Sequence, residues 1–97
     1  MKTFRWSRAK NERLEVERGI TFDEVVLAIE GGGLLDVLEH SNRARYPKQR
    51  VMVIAIAGYA YLVPFVDEVD CYFLKTVIPS RKATRDYLSR GGPDAKT

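Results

Sequence analysis

Within the eight residues from Ser80 to Tyr87 the chain carries Arg81, Lys82 and Arg85, directly after an apolar run that ends at Ile78-Pro79. Cations where a strand gives way to a helix suit the gripping of a phosphate chain. The guanidinium fork holds two oxygens at once and stays charged at any working pH. Arg81 stands where a helix start would add free N–H groups and a favourable dipole. Lys82 and Arg85 supply electrostatic support, and Tyr87 offers either a stacking ring or an anchor for the helix. A salt bridge from Arg81 to an acid of segment 19–39 is the competing structural use.

A second cluster opens at His40, the only histidine, and runs through Arg43, Arg45, Tyr46, Lys48 and Arg50. Histidine changes charge near neutral pH, so at a strand end it suits a general base, although a lone histidine there is more often a surface or capping residue. Tyr46, between Arg45 and Lys48, is the aromatic least suited to a core. One histidine and one cysteine, 31 positions apart, make no metal-ligand cluster, and no cofactor is implied. Cys71 lies in an apolar segment, reads as a buried core residue, and has no partner for an internal disulfide.

Charge is sorted along the chain. Residues 1–18 hold six Lys/Arg and three Glu, residues 19–39 five acids and no base, and residues 40–50 four cations and no acid. Such sorting suits a polyanion on one face and a basic partner on another, against the plainer reading of a solvated surface. With 97 residues, 45% hydrophobic and 30% charged, the chain reads as one globular domain spanning 1–90 and a flexible tail, 91–97. No apolar h-region follows Met1–Arg5, and Val51–Val66 is too short and too broken for a membrane span, so a cytoplasmic protein is expected.

The elements that must position these residues are legible from caps and periodicity. Phe4–Trp6 reads as a short edge strand. Ser7 caps a helix over 8–18, with Leu14 and Val16 its apolar contributions and Gly19 its left-handed stop. Thr21-Phe22-Asp23-Glu24 is a capping box, with Ile20 and Val25 placed as its staple, and Phe22, Val25, Val26 and Ile29 form a buried stripe. Gly31–Gly33 reads as a connection and not a phosphate cradle, because no Lys-Ser/Thr follows. Strands are expected at 34–39, 50–57, 60–66 and 71–78, with a hairpin at Gly58 and an edge or bulge at Pro64. A closing helix follows from Ser80 to about Arg90, with Ala83, Tyr87 and Leu88 facing inward. The fold class is α+β, order β-α-α-β-β-β-α, an antiparallel sheet with helices packed mainly on one face.

That order, with its residues, resembles the BrnT group of bacterial type II toxins, which share the RelE-like ribonuclease fold. The resemblance rests on an ordered set: Phe4-x-Trp6, Lys10-Asn11, Gly19-Ile20-Thr21-Phe22-Asp23-Glu24, His40 with the basic loop to Arg50, the hairpin through Gly58, and Ser80-Arg81-Lys82-Ala83-Thr84. It covers about residues 4–90. The chain departs from the family at Ser7, where an acid is usual, and at Glu17-Arg18, where Lys-His is frequent.

The resemblance implies a toxin that cleaves RNA without a metal and inhibits translation. A cognate antitoxin would hold it inactive and alone supply contact with operator DNA. Under it, Arg81, Arg50 and Lys10 become candidates for stabilising phosphorane-like charge, and His40 for the base that deprotonates the 2′-hydroxyl. Lys82, Arg85, Arg43, Arg45, Lys48 and Tyr46 become RNA-binding candidates. The missing second histidine and the mild charge motivate the alternative, a non-catalytic RNA- or protein-binding module of the same fold. A purely structural domain is the third reading.

Overall fold

The computed structural model describes residues 2–88. Residues 91–97, expected as a tail, and the expected end of the last helix near Arg90 lie outside them. Among the described residues the order is β1 (Thr3–Arg5), α1 (Arg8–Arg18), α2 (Phe22–Glu30), β2 (Leu34–Glu39), β3 (Gln49–Ile56), β4 (Tyr59–Asp67), β5 (Cys71–Leu74), β6 (Ile78–Pro79) and α3 (Arg81–Tyr87). The α+β class is as expected, but the order holds two strands more than the expected β-α-α-β-β-β-α.

The caps behave as their residue types require. Ser7 Oγ accepts from the Lys10 N–H and Thr21 Oγ1 from the Glu24 N–H, both at 3.2 Å, while Gly19 ends α1 at φ 66°. Asn11 joins the two helices: its Oδ1 accepts from the Phe22 N–H at 2.7 Å, and its Nδ2 donates to Asp23 at 3.3 Å. Leu14 is buried to 2% exposure, but Val16 is 86% exposed. Val16 therefore contributes nothing to the core, a correction of the expectation that it would.

The sheet runs β1-β5-β4-β3-β2, with β6 also on β4. It is mixed, not antiparallel as expected, because β1 lies parallel to β5, Phe4 opposite Tyr72. The crossover through both helices returns the chain to the far edge, so the first strand cannot hairpin with the second. The expected single strand 71–78 is two, interrupted at Lys75–Val77. Pro64 explains where the break falls. The Lys75 N–H donates to Pro64 O at 2.8 Å, so that side of Pro64 faces the break, where its missing donor costs no ladder bond. The β3–β4 hairpin turns on Ala57 and Gly58, with φ of 53° and 79°, the backbone of a two-residue primed turn.

Alternation along the strands separates two cores. Met52, Ile54, Val63, Phe65 and Leu74 meet Leu14, Phe22 and Val25 of the first two helices. Trp6 packs against this core, stacked on Phe22 at 5.7 Å. Val53 and Ala60 face the other way and meet Ala83 of α3. The helices thus cover both faces, two on one and one on the other. Cys71 is buried and free.

Candidate nucleic-acid interface

The loop between β2 and β3 is built by its own polar groups. Asn42 organises it: its Oδ1 accepts from the Arg45 N–H at 3.3 Å, and its carbonyl accepts from the Tyr46 N–H at 3.0 Å. The Asn42 N–H donates to His40 Nδ1 at 2.9 Å. At the far end the Asp67 N–H donates to Lys48 O at 2.8 Å, tying the loop to β4. The His40 and Tyr46 rings lie 4.8 Å apart at 44°, and the Arg45 guanidinium sits 5.6 Å from the Tyr46 ring centre. A half-buried tyrosine thereby has both an imidazole and a guanidinium against its ring. Arg43 reaches back to Glu39 at 3.6 Å, and Arg43, Arg45 and Lys48 are exposed.

The His40 bond bears on its chemistry. With Nδ1 accepting, neutral His40 carries its proton on Nε2, so neither ring nitrogen offers a free lone pair. In this arrangement the ring is a donor and a shelf for Tyr46, and service as the expected general base requires Nδ1 to release the Asn42 N–H.

The cluster from Ser80 to Tyr87 is set by Ser80 and Thr84. The Ser80 N–H donates to Ala60 O at 3.0 Å, and Ser80 Oγ accepts from the Ala83 N–H at 3.0 Å. Thr84 Oγ1 accepts from the Ala60 N–H and donates to Ser80 O, both at 2.8 Å. Neither residue is a candidate for chemistry in the sequence, yet together they pin α3 to β4. Lys82 and Arg85 both turn to Asp86, at 3.2 and 3.5 Å. The Lys82 hydrogen bond, and then the charges of Lys82 and Arg85, hold the Asp86 carboxyl below the ordinary carboxylate range. Tyr87 is 37% exposed and its hydroxyl donates to Asp36 at 2.6 Å, so it clamps α3 to the edge strand and does not face inward as expected. The exposed Arg81 side chain makes no hydrogen bond or ion pair among the described residues, so the competing use, a bridge to segment 19–39, is not found there.

The four catalytic candidates are not brought together. Arg50 stands opposite Phe65, whereas β6, which leads into Arg81, pairs with Tyr61 and Leu62. At ~3.3 Å per residue that is roughly 10–13 Å along the strand. Arg50 also projects with Met52 toward α2, on the sheet face opposite α3. It is engaged there, donating from Nη2 to Asp67 at 2.6 Å. Lys10 rides on α1, again across the sheet from Arg81. Asp67, absent from the candidates, holds both Arg50 and Lys2. Its lowered pKa follows first from the Lys2 hydrogen bond and then from Arg50. The signal for Asp67 is long-range strand register, which no local motif carries.

Among the described residues no group of three or more His, Cys, Asp or Glu is placed to hold a metal, and no helix is long and apolar enough to cross a membrane. Comparison of the chain with protein-family models, with curated proteins and with solved structures finds no match.

Proposed function

We propose that this protein acts on RNA, gripping a single strand at the β2–β3 loop, as the toxin of a type II pair with the RelE-like fold of the BrnT group. In that role it inhibits translation in the cytoplasm and is silenced by a cognate antitoxin. The observation that carries the reading is the loop: Tyr46 braced by His40 and Arg45, among cations with no acid between residues 40 and 50. Aromatic faces beside cations suit unstacked bases and their phosphates. Metal-independent cleavage would proceed by attack of the 2′-oxygen on phosphorus, with loss of the 5′-oxygen and a 2′,3′-cyclic phosphate as product. His40 serves in it as base only after releasing the Asn42 N–H; otherwise its Nε2–H stabilises the developing charge.

A second reading, RNA binding without cleavage, is favoured by one specific observation: Arg50 and Arg81 lie on opposite faces of the sheet, and Arg50 is held by Asp67. Expression without an antitoxin separates the two. Growth arrest with 2′,3′-cyclic ends on transcripts supports cleavage. Salt-dependent RNA binding with intact transcripts supports the second reading, and no RNA affinity at low salt removes both.

A further inference from the structure

A groove of about 330 Å³ opens on the α1/α2 face beside the edge strand β2, and the loop chemistry above makes no use of it. Its floor is Met52 and Phe65 of the central strands, 5% and 2% exposed. Leu34 and Val37 form one wall, 42% and 40% exposed, and Ile29 of α2 another. Phe4 and Tyr72, a cross-strand pair 5.5 Å apart, close the far side. Arg50 is the one charged side chain in the lining. Its guanidinium lies 5.8 Å from the Phe65 ring centre, and its only hydrogen bond among the described residues runs from Nη2 to Asp67. The Nε and Nη1 donors therefore have no protein partner among those residues. Lys2 binds the same Asp67 and sits 5.1 Å from the Tyr72 ring centre. Glu39 faces Arg50 across the strand pair but is bridged to Arg43. At the mouth of this apolar groove Arg50 and Lys2 thus share one carboxylate, Asp67.

We propose that this groove binds a small amphiphilic carboxylate, its apolar body over Met52 and Phe65 and its head on the free donors of Arg50. The volume sits at the lower end of small-ligand sites, and an apolar pocket with one fixed polar anchor is how such sites obtain both affinity and orientation. Arginine suits the head because its fork can donate to a second carboxylate while one nitrogen remains on Asp67.

Calorimetric titration of the full chain with octanoate, decanoate, decanol and decyltrimethylammonium, all below their micelle thresholds, tests this. One decanoate binds per chain, about tenfold tighter than octanoate for its two extra methylenes at ~0.8 kcal/mol each. Decanol binds about tenfold or more weakly than decanoate, and the ammonium does not bind. Lys2→Gln weakens decanoate severalfold, and Val37→Glu abolishes its binding. Leu34→Gln, a milder change on the same wall, weakens it severalfold and guards against a misfolded Val37→Glu. Equal affinity for decanol and decanoate, no saturable binding, or indifference to both wall variants would overturn the proposal. So would a dimer in solution that Val37→Glu dissociates and decanoate leaves intact, which would assign the groove to a second copy of the chain.

Discussion

His40 Nδ1 accepts the backbone N–H of Asn42 at 2.9 Å, and this bond ties the tautomer of one ring to the shape of the basic loop. The neutral ring must be the Nε2–H tautomer. Nitrogen-15 NMR is expected to show Nδ1 as the unprotonated nitrogen. The Asn42 amide should exchange slowly in the parent and faster in His40→Ala, where the acceptor is lost. A neutral Nδ1–H tautomer would contradict the geometry.

Tyr46 and the cations beside it should account for RNA affinity. Tyr46→Ala is expected to weaken single-stranded RNA binding by ~1–3 kcal/mol, the range for one base stacked on an aromatic ring. Arg45→Ala with Lys48→Ala should lower the salt dependence by ~0.7 for each phosphate no longer neutralised, a slope read from titrations at several salt concentrations. Arg85→Ala should matter less, since Arg85 shares Asp86 with Lys82.

Asp67 makes stability depend on pH in a definite direction. Its carboxyl is held below the ordinary range by Lys2 and then Arg50, and Lys2 is raised, chiefly by the Asp67 hydrogen bond. A depressed folded-state pKa means the stabilisation is complete above the unfolded carboxylate value of ~3.9 and is lost as pH falls through the folded value. For Lys2 the stabilisation is complete below the unfolded lysine value of ~10.4 and is lost as pH rises through the folded one. Asp67→Asn should therefore lower the Tm at pH 7 by a few degrees and converge with the parent in strong acid. The groups are partly exposed, so salt should shrink the difference.

Gly33 has no room for a side chain. A Cβ there would meet Ala55 O at 2.7 Å and Ala28 O at 2.8 Å, both backbone atoms that cannot swing aside. Gly33→Ala should destabilise by ~1–3 kcal/mol in thermal or urea melts, as overpacking does.

Two apolar residues of α1 should behave oppositely. Leu14→Ala is expected to cost ~2–5 kcal/mol as a core truncation. Val16→Ala should stay within ~0.5 kcal/mol, as an exposed change does. Urea melts of both variants check the contrast.

What the chain determined by itself is local. Ser7 and Thr21 start two helices because their hydroxyls act on N–H groups three residues away, and Gly19 stops the first through its own left-handed backbone. Gly58 marked its hairpin, and Pro64 its gap in the ladder, for reasons held in their own backbones. The basic loop was legible as composition. Its working geometry was only half so: that Tyr46 and Arg45 are neighbours is sequence, but that His40 closes on Tyr46 depends on the turn Asn42 makes. Everything that turns on pairing between distant segments was decided by the tertiary structure. The parallel placement of β1 beside β5, the separation of Arg50 from Arg81, and the capture of Arg50 by Asp67 all follow from strand register and side-chain alternation. A residue's face is fixed by its partner strand, and a junction of cations such as Ser80–Tyr87 carries no information about which other cations will share its side of the sheet.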